Sequence, residues 1–76
     1  MSYSEIAPDI ATMVVSKRKQ LGLSQTALAE KAKVSRATVV RIENAGGVTP
    51  DLDVLDRILN VIGYEVVLLI ESIKGE

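Results

Sequence analysis

The chain contains no cysteine, no histidine, no tryptophan and no phenylalanine, and its two tyrosines are its only aromatic residues. Without cysteine there is no disulfide and no thiolate nucleophile, and without histidine as well the usual zinc-ligand sets are missing. The carboxylates that remain are scattered over expected helix starts and one expected strand, so no enzyme activity, metal or cofactor is expected. No apolar run reaches membrane-spanning length. Met1 to Asp9 carries Glu5, Pro8 and Asp9 with no basic start, so no secretory leader is expected there. These absences are compatible with a reducing cytoplasm and give no reason to expect a membrane partner.

What is present is short and aliphatic. Seventy-six residues allow one domain with a modest core, and 47% of them are hydrophobic. With so few aromatics, that core must be built from aliphatic side chains, which suits close helix packing. The net charge of −1 conceals an asymmetry: residues 1–44 hold seven Lys or Arg against four Asp or Glu, and residues 45–76 hold two against six. For a nucleic-acid partner the distribution matters more than the sum.

The basic part includes Leu23 to Asn44, LSQTALAEKAKVSRATVVRIEN, which reads as two short helices joined by a tight turn. Ser24 and Ser35 can each cap one of them, since each hydroxyl can accept an orphan backbone N–H ahead of an apolar-periodic run. Leu28, Ala29 and Ala32 share a face of the first helix, Val39 and Ile42 a face of the second, and Val34 plugs the turn. Arg36, Ala37, Thr38, Val40 and Arg41 are left pointing outward. Upstream, Ile10, Val14, Arg18 and Leu21 share a face of an expected helix that starts near Pro8 and ends at Gly22 in a left-handed cap. Met1 to Ala7 is expected to be a flexible lead-in.

The residues Arg18, Gly22, Leu23, Ser24, Gln25, Leu28, Ala29, Val34, Ser35, Val39, Ile42, Glu43 and Pro50 together resemble the XRE family of helix-turn-helix proteins, the phage-repressor and Cro type. The resemblance implies a mainly α, compact four-helix domain over residues 8–63. It also implies that Arg18 pairs with Glu43 in a structural salt bridge, and that Gln25 touches the DNA backbone while bracing the first residue of the recognition helix. Base contacts would fall to Arg36, Ala37, Thr38, Val40 and Arg41. An arginine can donate two hydrogen bonds to guanine, and Ala37, Val40 and the Thr38 methyl suit a thymine methyl. Phosphate contacts would fall to Lys17, Lys19, Ser24, Gln25, Ser35, Asn44, Ala45, Gly46 and Gly47. For Lys17 and Lys19 the alternative is a solvated helix end that complements the dipole. Lys33 stands where the family often has glycine, and a non-glycine residue at positive φ costs on the order of 1 kcal/mol.

Farther along, Thr49 and Pro50 are expected to open a fourth helix whose apolar face is Leu52, Leu55, Ile58, Leu59 and Ile62, closed by Gly63. The period then changes, and residues 64–70, YEVVLLI, read as a strand. A lone strand needs a partner for its backbone. The simplest solution is the same strand from a second copy, with Tyr64, Val66, Val67, Leu68, Leu69 and Ile70 forming a homodimer interface within a tail spanning 64–76. Such a tail resembles that of HipB-type antitoxins.

The expected function is therefore a sequence-specific repressor that binds double-stranded DNA as a twofold dimer on an inverted repeat, cytoplasmic and nucleoid-associated. The HipB-type resemblance implies a second role as an antitoxin holding a HipA-type toxin kinase inactive. A stand-alone XRE regulator, or a protein-interaction module on the same scaffold, remains open at this point.

Overall fold

In the computed structural model, residues 2–45 and 50–63 are described, and they form α1 Tyr3–Gln20, α2 Gln25–Ala32, α3 Arg36–Glu43 and α4 Leu52–Val61. Among the described residues there is no strand. The expected strand and dimer interface at 64–70 lie outside the described residues, as do Gly46, Gly47 and Thr49.

The first helix corrects the expected lead-in, since it begins at Tyr3 rather than at Pro8. Ser2 and Glu5 carry the start signal: the Glu5 carboxylate accepts from the Ser2 backbone N–H at 3.4 Å and from its hydroxyl at 3.2 Å. Pro8 then sits inside the helix. Its ring leaves the Ser4 carbonyl without its N–H partner, but the added turns bury Ala7 and lay Tyr3 and Ile6 against the core. The other end is as expected. Gly22, at φ +72, closes α1 with the Leu23 N–H donating to the Arg18 carbonyl and the Gly22 N–H to the Lys19 carbonyl, both at 3.0 Å. Leu21, expected on the buried face, is 53% exposed because it is the cap residue, where the chain has left the helical face.

The turn between α2 and α3 has the left-handed residue anticipated at Lys33, with φ 59 and ψ 43. The Val34 N–H reaches the Ala29 carbonyl at 3.0 Å, so three residues suffice to join the helices. Both helix starts are capped as read: Ser24 Oγ accepts from the Ala27 N–H and Ser35 Oγ from the Thr38 N–H, at 3.0 and 3.1 Å. The start of α4 differs. Asp51 holds the extended cap conformation, and Pro50 lies before the helix rather than in its first turn, while the expected cap Thr49 is outside the described residues. Leu52 is consequently the first helical residue and is 69% exposed, one turn short of the face on which Leu55, Ile58, Leu59 and Ile62 are buried.

Among the described residues the fully buried core is aliphatic, as the shortage of aromatics required. Ile10 and Val14 of α1, Leu28, Ala29 and Ala32 of α2, Val39 and Ile42 of α3, and Leu55, Ile58, Leu59 and Ile62 from α4 and its end form one cluster, with Val34 packed against it. In this arrangement α2 packs on both α3 and α4, and α1 packs on α3. Ala29, only 3% exposed, is one of the small residues that lets these elements approach.

The strained turn is a direct test of this geometry. Lys33→Gly removes a Cβ penalty of about 1 kcal/mol. In a domain of this size that gain is expected to raise the thermal midpoint by about 4–8 °C, read by circular dichroism; an unchanged or lower midpoint would mean that Lys33 is not held left-handed.

Candidate nucleic-acid interface

The outward side of α3 is set by its buried side. Val39 and Ile42 are buried, so Arg36, Ala37 and Arg41 project into solvent, with Thr38 and Val40 at the margin and half-buried. Asn44, the C-cap residue, continues the exposed line that runs through Ala37 and Arg41. All five expected base-contacting residues therefore belong to one short helix. The Thr38 hydroxyl is engaged, 2.8 Å from Ser35 Oγ, so only its methyl is left for an apolar contact.

A part-buried polar cluster links this helix to α1 and α2. Glu43, at the last position of α3, has a side chain only 4% exposed, and Arg18 near the end of α1 is 11% exposed. Arg18 Nε donates to Glu43 Oε2 at 2.6 Å and Nη2 to Oε1 at 3.0 Å, the bidentate form expected of the pair. Arg18 Nη1 also donates to the Leu23 carbonyl at 2.9 Å, and Gln25 Nε2 donates to Glu43 Oε1 at 3.0 Å. The hydrogen bond to Glu43 pushes the Arg18 pKa above its already high ordinary value. No buried side-chain polar atom among the described residues lacks a partner.

Gln25 calls for a correction. It was expected to brace Arg36, the first residue of α3, yet its amide is bound to Glu43, the last. The reason is directional: the tight turn at Lys33 brings the chain back, so the start of α2 meets the end of α3 while Arg36 sits by the turn at the other end. The links from Gln25 to Glu43 and from Arg18 to the Leu23 carbonyl had no sequence signal beyond the residues themselves. The first depends on how the helices cross, and the second on how the chain turns after α1.

The expected phosphate-contacting residues fall at this same end and at the helix starts. Lys17 is half-buried and Lys19 exposed in the last turn of α1. Ser24 and Gln25 open α2, and Ser35 caps α3. Ser24 Oγ accepts from a backbone N–H, which leaves its own hydrogen available for an acceptor such as a phosphate oxygen. Asn44 and Ala45 follow α3, and Ala45 has a positive φ of 53. Gly46 and Gly47 lie outside the described residues. Among the described residues there is no group of acidic side chains arranged for a metal ion, and no helix is long and apolar enough to cross a membrane.

Comparison with known proteins agrees with this layout. A family model described as helix-turn-helix matches residues 15–69, which include α2, α3 and α4. The chain belongs to the XRE-type helix-turn-helix family. A relative, an uncharacterized HTH-type transcriptional regulator of Methanothermobacter thermautotrophicus, is 39% identical over 54 residues, covering 71% of this chain and 77% of the relative. No solved structure matches the chain.

The buried cluster predicts a specific pattern of stabilities in chemical denaturation. Arg18→Met strands the Glu43 carboxylate and is expected to cost about 3–5 kcal/mol. Adding Glu43→Leu should recover most of that loss, because the stranded charge is removed with its partner. Equal stability of wild type and Arg18→Met would count against a buried pair.

Proposed function

We infer that the protein is a DNA-binding transcriptional regulator in which α3 reads base edges in the major groove. The observation that carries this reading is the exposed row on α3, fixed to α1 and α2 by the Arg18, Glu43 and Gln25 cluster, in a chain matched by a helix-turn-helix family model. The name of the 39% identical relative, a transcriptional regulator, supports the regulatory role. Arg36 would donate to guanine O6 and N7, Ala37, Val40 and the Thr38 methyl would meet thymine methyls, and Arg41 would reach a base or the groove wall. Ser24, Ser35, the free N–H of the Gln25 amide, Lys17, Lys19 and the backbone from Asn44 to Gly47 would position the domain on phosphates.

We further propose that it acts as a repressor, by occupying an operator that polymerase must use. Two copies joined through residues 64–70 would set their recognition helices roughly 34 Å apart, on an inverted repeat. The tail's resemblance to HipB-type antitoxins supports a role in holding a HipA-type toxin kinase. No catalysis and no cofactor are part of the proposal, and a cytoplasmic, nucleoid-associated location would follow from it.

Two measurements test this. Selection of the full chain on random-sequence duplexes should yield a preferred site. Arg36→Ala should then cost about 1–3 kcal/mol of binding and relax preference at one base position. A protein that selects no sequence, or an Arg36→Ala/Arg41→Ala variant that binds it undiminished, would refute base reading by α3. Sedimentation of the full chain and of one ending at Gly63 tests the assembly: a dimer that becomes a monomer supports the tail interface, and dimers in both cases would move the interface to the helices.

A further inference from the structure

The positive charge of the domain is not confined to the residues assigned above. A shallow groove of about 510 Å³ opens between the end of α2 and the second half of α4, lined by Lys31, Ala32, Lys33, Arg57, Asn60 and Val61. Lys31, Lys33 and Arg57 are exposed there. Among the described residues neither lysine side chain has an ion-pair partner. Arg57 is bound to Asp53 at 2.9 Å, but both members are largely exposed, and such a pair is easily exchanged for another anion.

The place of this groove in the fold gives it meaning. Arg57 Nη1 lies 3.5 Å from the carbonyl of Lys33, so α4 delivers its cation to the turn that leads into α3. Lys33 stands two residues before the Ser35 cap and three before Arg36. The two ends of α3 therefore differ. Its last residue sits in the Arg18 and Gln25 cluster, beside Lys17, Lys19 and the start of α2, and its first residue sits beside the Lys31, Lys33 and Arg57 groove. A lysine in the last turn of a helix commonly does no more than offset the dipole. That accounts for Lys31. It does not account for a residue held in left-handed backbone where glycine would be easier, nor for a cation supplied from a different helix.

Resting on the DNA reading above, the geometry points to Lys31, Lys33 and Arg57 as a second phosphate-binding patch, which holds the backbone flanking the bases read by the start of α3. The protein then grips phosphates beyond both ends of its recognition helix. This widens the footprint without adding base specificity, because phosphate contacts position a protein and carry no sequence information. It also offsets the lack of any Lys or Arg from Asn44 to Asp56, the stretch where the other end of α3 would otherwise be anchored.

The test couples protein variants to duplex length. The probe is the duplex selected by the full chain, in a long form and in a form trimmed by about five base pairs on each flank, half a helical turn. Wild type should bind the trimmed duplex more weakly. The Lys31→Ala/Lys33→Ala/Arg57→Ala variant should bind the long duplex at least about tenfold more weakly, with a salt slope shallower by roughly 2 to 3, and should lose a smaller factor on trimming than wild type does. Lys33→Gly guards against misfolding as the cause, since it is expected to stabilise the domain while lowering the slope by about 1. Variants that bind like wild type, or that lose the same factor on both duplexes, would overturn the patch and leave the groove to an acidic protein surface, with base reading by Arg36 intact. Failure of wild type to prefer any duplex would overturn both readings together.

Discussion

The arrangement of this domain depends on one carboxylate. Glu43 is almost wholly withdrawn from water, and in that setting an ionised group is tolerated only if it is paired and hydrogen-bonded. It receives two donors from Arg18 and one from Gln25. These come from three different helices when Glu43's own is counted. Aliphatic contacts between Val39, Ile42, Leu28 and Val14 hold the helices together but are non-directional, so they leave rotation and sliding weakly defined. The guanidinium fork and the carboxylate pair in few relative orientations, here through Nε and Nη2. The polar contact thus adds direction to a crossing that the packed core sets.

Backbone strain at the two ends of the unit serves the same compactness. Lys33 and Ala45 both adopt positive φ without being glycine, at a cost of about 1 kcal/mol each. Each ends a helix abruptly, Lys33 so that α3 can return along α2, and Ala45 directly after the cap of α3. With eight residues apiece, α2 and α3 are too short to be stable alone in water. Their caps at Ser24 and Ser35, and their burial against α1 and α4, supply what propensity does not.

The charge distribution explains how a domain of net charge −1 can serve an anionic partner. The cations cluster around α3 and on the C-terminal turn of α1, whereas Asp51, Asp53 and Asp56 lie on the exposed side of α4's first turns. At physiological ionic strength the screening length is about 8 Å. A surface therefore responds to the charges beside it rather than to the molecular sum.

Much of this was legible in the residue string because it is written in local chemistry. Cap residues and the 3.6-residue apolar period depend on neighbours a few places apart, so Ser24, Ser35, Gly22 and the faces of α2, α3 and α4 could be read directly, whereas the left-handed Lys33 followed from the resemblance to the family. The errors fell where two local signals compete. Pro8 looked like a helix start although the Ser2 and Glu5 pair had already begun the helix, and Leu21 and Leu52 fit the apolar period but sit at helix ends, exposed among the described residues. By itself the sequence determined that there would be short capped helices with an aliphatic core and an outward row on α3. Only the tertiary structure decided that Gln25 binds Glu43 rather than Arg36, and that Arg57 meets Lys33 across 24 residues. The angle at which one helix crosses another is a property of the whole packed core and is not written in any single segment.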